Sequence, residues 1–333
     1  MSKICVSGAG GFVGSHIQDE FIKQGHEVLS IDNLSGGFKR NFNDKATIEI
    51  IDLCNKGAVE WAFTKFEPEI VFHCAANARE GASFFDPAKI VMANQVATIN
   101  ILEAAIKTKK LKHFVFFSSM AGYGELEPPF SEDMSPKPCD VYGVAKISME
   151  ETVKILAGCH RFKYSIIRPH NIFGIRQSIR DIYRNVIGIF MNRIMRKEPL
   201  YIYGDGQQRR QFSYIEDSLP SFLKVLENGV NETVNIGGTV DMTVEHLAYM
   251  VTEAMLGDEC YPTKFIPNRY GEVKFAYCDP SKSIRLLGYN EKVGIEEGIR
   301  KMAKWAKELG PQPWIEEHLA LENGHTPVTW RKT

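Results

Sequence analysis

Residues 3–14 read KICVSGAGGFVG, a short apolar run followed by four glycines within seven residues. The apolar run predicts a buried strand over residues 3–7, and the glycines predict a tight turn into a helix over about residues 14–24. A helix N-terminus offers N–H groups and a positive dipole to a pyrophosphate. An ordinary strand–helix turn is the alternative. Strand, glycine turn and helix in this order favour a dinucleotide-binding loop.

Strands and helices alternate through the next 150 residues. Further strands are predicted at 27–31, 70–74, 113–118 and 164–168, with another that ends near residues 51–53, and helices are predicted at 56–65, 87–107 and around residue 142. Such alternation predicts an α/β fold with a Rossmann-type, doubly wound parallel sheet. Nearly continuous apolar strands indicate a sheet covered on both faces.

The sequence pattern changes after Pro169, and this change divides the chain into two predicted domains. Residues 1–175, with about 212–240, are predicted to form the dinucleotide-binding domain. Segments 212–217 and 233–238 are expected to return to the edge of its sheet. Residues 176–211 and 241–333 are predicted to form a smaller, mixed α/β substrate domain with an irregular tail over 311–333.

The composition narrows the function. Forty basic and 41 acidic residues leave a net charge of −1, so neither nucleic acid nor an anionic membrane is an expected partner. The seven cysteines include no Cys-x-x-Cys pair, which argues against a zinc site or a disulfide framework. We expect a cytoplasmic protein without a leader or a membrane span, because the chain enters a strand at once and carries no long apolar run.

Asp32 ends the second predicted strand, eighteen residues after Gly14. A carboxylate at this point accepts hydrogen bonds from a ribose and repels a 2′-phosphate, which favours NAD over NADP. A solvated turn aspartate is the alternative. Asp52 and Leu53, at the end of the next strand, are expected beside the adenine.

Tyr142 and Lys146 lie four residues apart on a predicted helix and therefore share a face. An ammonium beside a phenol favours the phenolate, and we expect it to lower the pKa of Tyr142 from about 10 toward neutrality. Such a base removes a proton from a sugar or alcohol hydroxyl. Ser118 and Ser119 end the fifth strand and face the same crevice, unless they only cap a turn. His73 and His170 are interpreted as packed histidines.

Together these motifs resemble the extended short-chain dehydrogenases/reductases, in particular their nucleotide-sugar epimerase/dehydratase branch. The resemblance runs from Lys3 to about Tyr289. Its motifs are Gly-x-x-Gly-x-x-Gly at 8–14, Asp32-Asn33, Asp52-Leu53, His73-Cys74-Ala75-Ala76, Asn94, Ser118-Ser119, Tyr142-x-x-x-Lys146, Arg168-Pro169-His170-Asn171, Gly204-Asp205-Gly206 with Arg210, and Arg269-x-Gly271-Glu272.

The resemblance implies a role for each matching position. Tyr142 would be the catalytic base, Lys146 would hold the nicotinamide ribose, and Ser119 would bind the sugar 4-hydroxyl. The implied substrate contacts are Ser119, Asn171, Asn185, Arg210, Arg269 and Ala276. The implied NAD contacts are Gly8, Gly11, Phe12, Val13, Gly14, Asp32, Asn33, Asp52, Leu53, Cys74, Ala75, Ala76, Asn94, Ser118, Tyr142, Lys146 and Pro169. Family members often form homodimers through helices matching 92–107 and 142–156.

In the enzymes that the chain resembles, the residues directly after the catalytic hydroxyl residue differ from one reaction to another. The 4,6-dehydratases have an Asp-Glu pair there, decarboxylases of UDP-glucuronate a glutamate, and 3,5-epimerases a cysteine in that segment. This chain has Met120 and Ala121, which move no protons. The resemblance therefore implies a UDP-sugar 4-epimerase, with glucose/galactose as leading substrate. Ala276 is small where galactose epimerases gate the sugar pocket, which leaves room for an N-acetyl group.

Two alternatives stay open. One is a nucleotide-sugar oxidoreductase or dehydratase that releases a 4-keto or reduced sugar. The other is a non-catalytic, NAD-bound scaffold, although Ser119, Tyr142 and Lys146 together argue against it. Gln211 and His170 depart from the usual family residues and are expected near the substrate.

Overall fold

A seven-stranded parallel sheet forms the centre of the protein. The computed structural model describes residues 1–257, 260–315 and 319–330. Its strands are β1 Lys3–Ser7, β2 Glu27–Asp32, β3 Thr47–Ile50, β4 Ile70–His73, β5 His113–Phe117, β6 Lys163–Pro169 and β11 Glu232–Ile236. The strand order is β11-β6-β5-β4-β1-β2-β3, and every neighbouring pair is parallel. The predicted Rossmann-type sheet is confirmed, with its order reversing between β1 and β4.

Alternate side chains of the strands enter two separate cores. Ile4, Val6 and Phe72 pack on one face of the sheet, and Cys5 and Val71 pack on the other, all fully buried. Successive residues of a strand point to opposite faces, so both faces must be covered. This accounts for apolar runs that show no polar alternation.

Helices cover both faces of the sheet. The helices of the described chain, including those of its C-terminal part, are α1 Phe12–Lys23, α2 Lys56–Phe66, α3 Pro87–Val91, α4 Ala97–Lys107, α5 Val141–His160, α6 Val186–Met195, α7 Ile215–Asn228, α8 Val244–Leu256, α9 Ser281–Leu287 and α10 Gly294–Leu309. A π-helical turn, Met92–Val96, joins α3 to α4, so the predicted helix over 87–107 is continuous. Asp140 caps the N-terminus of α5, because its carboxylate accepts a 2.8 Å hydrogen bond from the Gly143 amide.

The C-terminal part carries three small sheets. Their strands are β7 Ile172–Phe173, β8 Leu200–Tyr203, β9 Arg209–Gln211, β10 Ser213–Tyr214, β12 Asp241–Thr243, β13 Thr263–Ile266 and β14 Phe275–Ala276. Segment 233–238 returns to the central sheet as β11, as predicted. The same prediction for 212–217 was wrong: β10 pairs with β7 instead, and α7 begins at Ile215. The division into two domains stays a prediction.

The tail is irregular wherever it is described, as predicted. The tail contacts the segment before α3, where the Leu321 amide donates a 2.8 Å hydrogen bond to the Phe85 carbonyl. Trp330 is 5% exposed and packs edge-on against Phe85 and Tyr183. None of the helices described here is long and apolar enough to cross a membrane.

Candidate active site

A cleft of about 360 Å³ opens at the carboxyl ends of the central strands. The C-terminal part of the chain forms its opposite wall. Ligands of doubly wound sheets bind at this edge. Of the residues predicted from sequence, the cleft is lined by Phe12, Val13, Ser118, Ser119, Tyr142, Pro169, Asn171, Asn185, Arg210, Arg269 and Ala276.

The glycine turn leaves no room for side chains. Gly8 has a φ of +71°, and a Cβ there would lie 2.8 Å from the Ala75 amide nitrogen. A Cβ on Gly14 would lie 2.3 Å from the Gly8 carbonyl oxygen. Backbone N–H groups at the start of α1 are therefore open to close approach by an anion. The turn and the helix behind it fit a dinucleotide pyrophosphate.

Asp32 holds the glycine turn from the end of β2. Its carboxylate accepts hydrogen bonds from the amides of Gly10 at 3.0 Å and Leu34 at 2.7 Å. Desolvation raises the pKa of Asp32, and these backbone donors oppose the increase. Asp52 follows the neighbouring strand β3, and its carboxylate accepts a 3.2 Å hydrogen bond from the side-chain amide of Asn33. The predicted ribose and adenine residues thus lie at adjacent strand ends beside the glycine turn.

Asn94 acts on the loop after β4 rather than lining the cleft. Its side-chain amide donates to the carbonyls of Asn77 at 3.1 Å and Ile90 at 2.8 Å. It is fully buried in the π-helical turn. The loop it holds includes the predicted contacts Cys74, Ala75 and Ala76, and Ala75 meets Gly8. Asn94 is therefore placed to position that loop, and its predicted contact with NAD stays a prediction.

Tyr142, Ser119 and Lys146 come together at the floor of the cleft. Ser119 and Tyr142 both line the cleft, and the Ser119 hydroxyl favours the phenolate form of Tyr142. Lys146 is 1% exposed, and its Nζ donates to the Phe117 carbonyl at 2.7 Å and lies 5.8 Å from the centre of the Tyr142 ring. Burial lowers the pKa of Lys146 to about 7. The trio predicted from the sequence is assembled.

The predicted pKa of Tyr142 was wrong for this structure. Burial, with a smaller contribution from Glu80, raises the pKa of the phenol instead of lowering it. The physical reason is desolvation, which penalises a phenolate in an enclosed site. The Ser119 hydrogen bond and the Arg184 guanidinium act in the opposite direction.

Ser118 belongs to a buried polar network that the sequence did not predict. Its hydroxyl donates to Glu150 at 2.5 Å, and Arg168 donates to both oxygens of that carboxylate at 2.8 and 2.7 Å. Arg168 also donates to the Tyr123 hydroxyl at 2.8 Å. The Glu150–Arg168 pair is at most 4% exposed, so it ties α5 to β6 beneath the catalytic trio.

Arg210 and Arg269 share one acidic partner, Glu272. Arg210 Nη2 lies 2.9 Å from one carboxylate oxygen, and Arg269 Nη2 lies 2.6 Å from the other. Both arginines thus form ion pairs with Glu272, and both residues also line the cleft. Arg210 also donates to the carbonyls of Arg209, Lys274 and Val273, so its guanidinium group is held in place by the protein. Positively charged guanidinium groups in a cleft suit a diphosphate.

The other predicted substrate residues line the cleft between these arginines and Ser119. Asn171 donates to the Gln211 carbonyl at 2.9 Å, and Asn185 caps α6 by accepting from the Ile187 amide at 3.0 Å. Ala276 is 3% exposed and pairs with Arg210 across β14 and β9. Their side chains are held by the protein, which preorganises this wall.

Both histidines pack in the core, as predicted. The ring nitrogens of His73 lie 2.7 Å from Ser7 Oγ and 2.8 Å from Thr98 Oγ1. His170 is fully buried against the rings of Tyr123 and Phe130. Burial lowers the pKa of both histidines to about 3.

Gln211 was expected near the substrate, but it is 4% exposed. Its side-chain amide exchanges two hydrogen bonds with the backbone of Cys278, at 3.0 and 2.8 Å. The side chain is thus committed to holding the segment that follows β14.

Several cleft residues were missed from the sequence, above all Glu80 and Arg184, with Tyr183, Tyr201 and Tyr203. Glu80 lies in the loop after β4, where the strand-end rule already directs attention. Arg184 directly precedes the predicted Asn185, but nothing in its spacing distinguishes it from a surface arginine.

A glycine turn at the start of a parallel sheet, with a Tyr–Lys pair at the same sheet edge, defines a dinucleotide-dependent enzyme that acts on hydroxyl groups. The model of the NAD dependent epimerase/dehydratase family matches residues 4–237. The chain belongs to this family, and NAD is its cofactor.

Relatives match almost the whole chain. A putative UDP-glucose 4-epimerase of Methanocaldococcus jannaschii is 33% identical over 91% of this chain and 98% of its own length. A UDP-N-acetyl-alpha-D-glucosaminuronate decarboxylase of Bacillus cytotoxicus is 28% identical, over 93% and 99%. The crystal structure of UDP-glucose 4-epimerase from Thermotoga maritima, with UDP-glucose, superposes with a TM-score of 0.86 at 33% identity, covering 92% and 99% of the chains. The family thus includes more than one reaction.

Proposed function

We propose that this protein is a UDP-sugar 4-epimerase that interconverts UDP-glucose with UDP-galactose, or their N-acetylhexosamine counterparts. The observation that carries the proposal is the assembled trio of Ser119, Tyr142 and Lys146 beside residues that move no protons. Met120 and Ala121, directly after Ser119, carry a thioether and a methyl group. A 4-epimerase needs only removal and return of hydrogen at C4 and its hydroxyl. Similarity to UDP-glucose 4-epimerases supports the same assignment.

Each residue of the trio has a defined task in this proposal. Ser119 binds the sugar 4-hydroxyl, and Tyr142 accepts its proton and later returns it. The ammonium of Lys146 favours the phenolate and so opposes the effect of burial on Tyr142. Bound NAD supplies the acceptor and donor of the C4 hydride. The glycine turn and Asp32 hold NAD in place.

The anchoring residues are proposed to lie at the other end of the substrate. Arg210 and Arg269 bind the diphosphate, with Asn171 and Asn185 beside them. Ala276 leaves space at the hexose, which supports N-acetylated sugars as well. A sugar that must turn over between two hydride transfers is compatible with a firm hold on the diphosphate and few contacts to the ring.

Purified protein assayed with UDP-glucose and UDP-N-acetylglucosamine, with products read by NMR, tests the proposal. We expect epimerisation without net change in reduced-cofactor absorbance. Tyr142→Phe should lower kcat at least 100-fold while leaving NAD affinity and folding unchanged, because only the proton acceptor is lost. Turnover of GDP- or dTDP-sugars alone would remove the UDP assignment, and an active Tyr142→Phe variant would remove the catalytic one.

A dehydratase is the second candidate, because Glu80 places a carboxylate in the cleft near Tyr142. Enclosure by the cleft walls, with Asp140 nearby, raises the pKa of Glu80 toward the range of a general acid. The same NMR assay separates the candidates, since a dehydratase releases a 4-keto-6-deoxy sugar.

We also infer a homodimer formed by α4 and α5. The π-helical turn that leads into α4 adjoins α5, and its Gln95 donates to Ser148 at 2.6 Å. Around this contact Met92, Val144 and Ile155 are 46%, 51% and 68% exposed. Exposed apolar side chains on adjacent helices suit a partner surface.

A further inference from the structure

Glu80 is a cleft residue that the proposed epimerase reaction leaves without a task. It precedes the 3₁₀ turn Gly81–Phe84, and its side chain is open to the cleft. The turn is fixed against the opposite wall. The Phe84 ring lies 5.0 Å from the ring of Tyr270, and a Cβ on Gly81 would lie 2.7 Å from the ring of Trp330. Glu80 therefore has a defined place between the two walls.

Charged groups on both walls act on Glu80. Asp140 lies on the catalytic side, and Arg210, Arg269 and Glu272 lie on the side proposed for the diphosphate. Both arginines already contact Glu272, at 2.9 and 2.6 Å. Within the described part of the chain, no hydrogen bond to the Glu80 carboxylate is seen. The carboxylate is thus available to a ligand.

The position of Glu80 corresponds to the sugar ring of the proposed substrate. It lines the same cleft as Ser119 and Tyr142 on one side and as Arg210 and Arg269 on the other. With the diphosphate at the arginines and the 4-hydroxyl at Ser119, the hexose spans the distance between them. Glu80 therefore faces the hexose.

We propose that Glu80 determines specificity by admitting hexoses without a carboxylate and excluding hexuronates. This inference rests on the proposed function. At pH 8, where Glu80 is ionised despite its raised pKa, its carboxylate accepts hydrogen bonds from sugar hydroxyls, whereas the carboxylate of a hexuronate in the same cleft meets like charge. The exclusion needs no contact with the uracil or the diphosphate, so it acts on the sugar alone.

Binding to the NAD-loaded protein at pH 8, where Glu80 is ionised, tests this inference. Calorimetry with UDP-glucose, UDP-glucuronate and UDP should give a Kd at least 10-fold weaker for the glucuronate than for the glucose compound. Glu80→Gln removes the charge and keeps the shape, so it should reduce this ratio about 10-fold or more and leave UDP affinity unchanged. Glu80→Ala should change the ratio in the same direction. Glu227→Gln, an exposed carboxylate on α7, is the matched control and should change nothing.

The outcomes separate this inference from the proposed function. An unchanged ratio in both Glu80 variants would overturn the inference, whether or not the enzyme epimerises. Loss of all turnover in Glu80→Gln with unchanged binding would also overturn it, because Glu80 would then move protons. A protein that binds these ligands with the expected ratio but forms no epimer refutes only the reaction. If no UDP-sugar binds, the nucleotide is wrong, and dTDP-glucose against dTDP-glucuronate decides the inference.

Discussion

At the scale of single residues, burial determines the protonation state of several groups. It raises the pKa of the Tyr142 phenol and lowers the pKa of Lys146 to about 7. Both shifts disfavour the charged form, as expected where water is excluded. The cleft thus keeps the Tyr142 phenol protonated. Spacing along a helix predicted the pair but could not reveal how deeply it is buried.

His170 should make the protein sensitive to acid. Its pKa is about 3 in the folded protein and about 6.5 when unfolded. Between these values the unfolded chain binds one more proton, so the stability contribution is full above pH 6.5 and is lost as pH falls. His170→Phe should therefore lower the slope of unfolding free energy against pH by about 1.4 kcal/mol per unit between pH 4 and 6. Urea unfolding across that range measures it, and parallel curves for variant and wild type would contradict it.

At the scale of elements, the strand–turn–helix at the N-terminus depends on backbone contact. The β1–α1 turn brings the Gly8 carbonyl against α1, leaving no space for a Cβ at Gly14. The obstructing atoms are backbone and cannot rotate away. This makes the glycine turn an obligatory part of both the fold and the cofactor site.

Gly14→Ala should therefore weaken both. We expect a loss of roughly 3 kcal/mol in unfolding free energy, because a methyl group is forced into a packed site. NAD affinity should fall at least 10-fold, measured by fluorescence titration. Gly158→Ala is the control, because Gly158 is an exposed residue of α5 and a Cβ there would have no atom within 4 Å. Alanine at this position should raise the free energy of unfolding by up to about 1 kcal/mol. Normal NAD binding by Gly14→Ala would show that the turn tolerates a side chain.

Most elements of the central sheet could be predicted from sequence, because a strand covered on both faces leaves a continuous apolar run. The pairing of β10 could not be predicted in this way. Ser213 and Tyr214 were expected at the edge of the central sheet, yet they pair with β7. Which strand a two-residue segment joins is decided by tertiary contacts. The same limit applied to the site, where Tyr142 was found by spacing but Glu80 was not.

At the scale of the whole molecule, distant segments close the cleft. Arg79 donates to Asp181 at 3.0 and 2.9 Å, and both side chains are less than 10% exposed. The tail adds Trp330 over the same region and a 2.7 Å hydrogen bond between Thr329 and Tyr203. The wall opposite the NAD site is thus built from segments over 100 residues apart. No local sequence pattern encodes such a wall.

The proposed homodimer is the last property of the whole molecule that can be tested. Ile155 is 68% exposed on α5, in line with Val144 and Ser148 at helical spacing. Burying it against a second copy would contribute hydrophobic free energy, whereas a glutamate there would place two charges in an apolar interface. Ile155→Glu should shift the protein from dimer to monomer in analytical ultracentrifugation. Val240→Glu, equally exposed at 64% but outside α4 and α5, should leave the dimer intact. A monomeric wild type, or a dimer that survives Ile155→Glu, would rule out this interface.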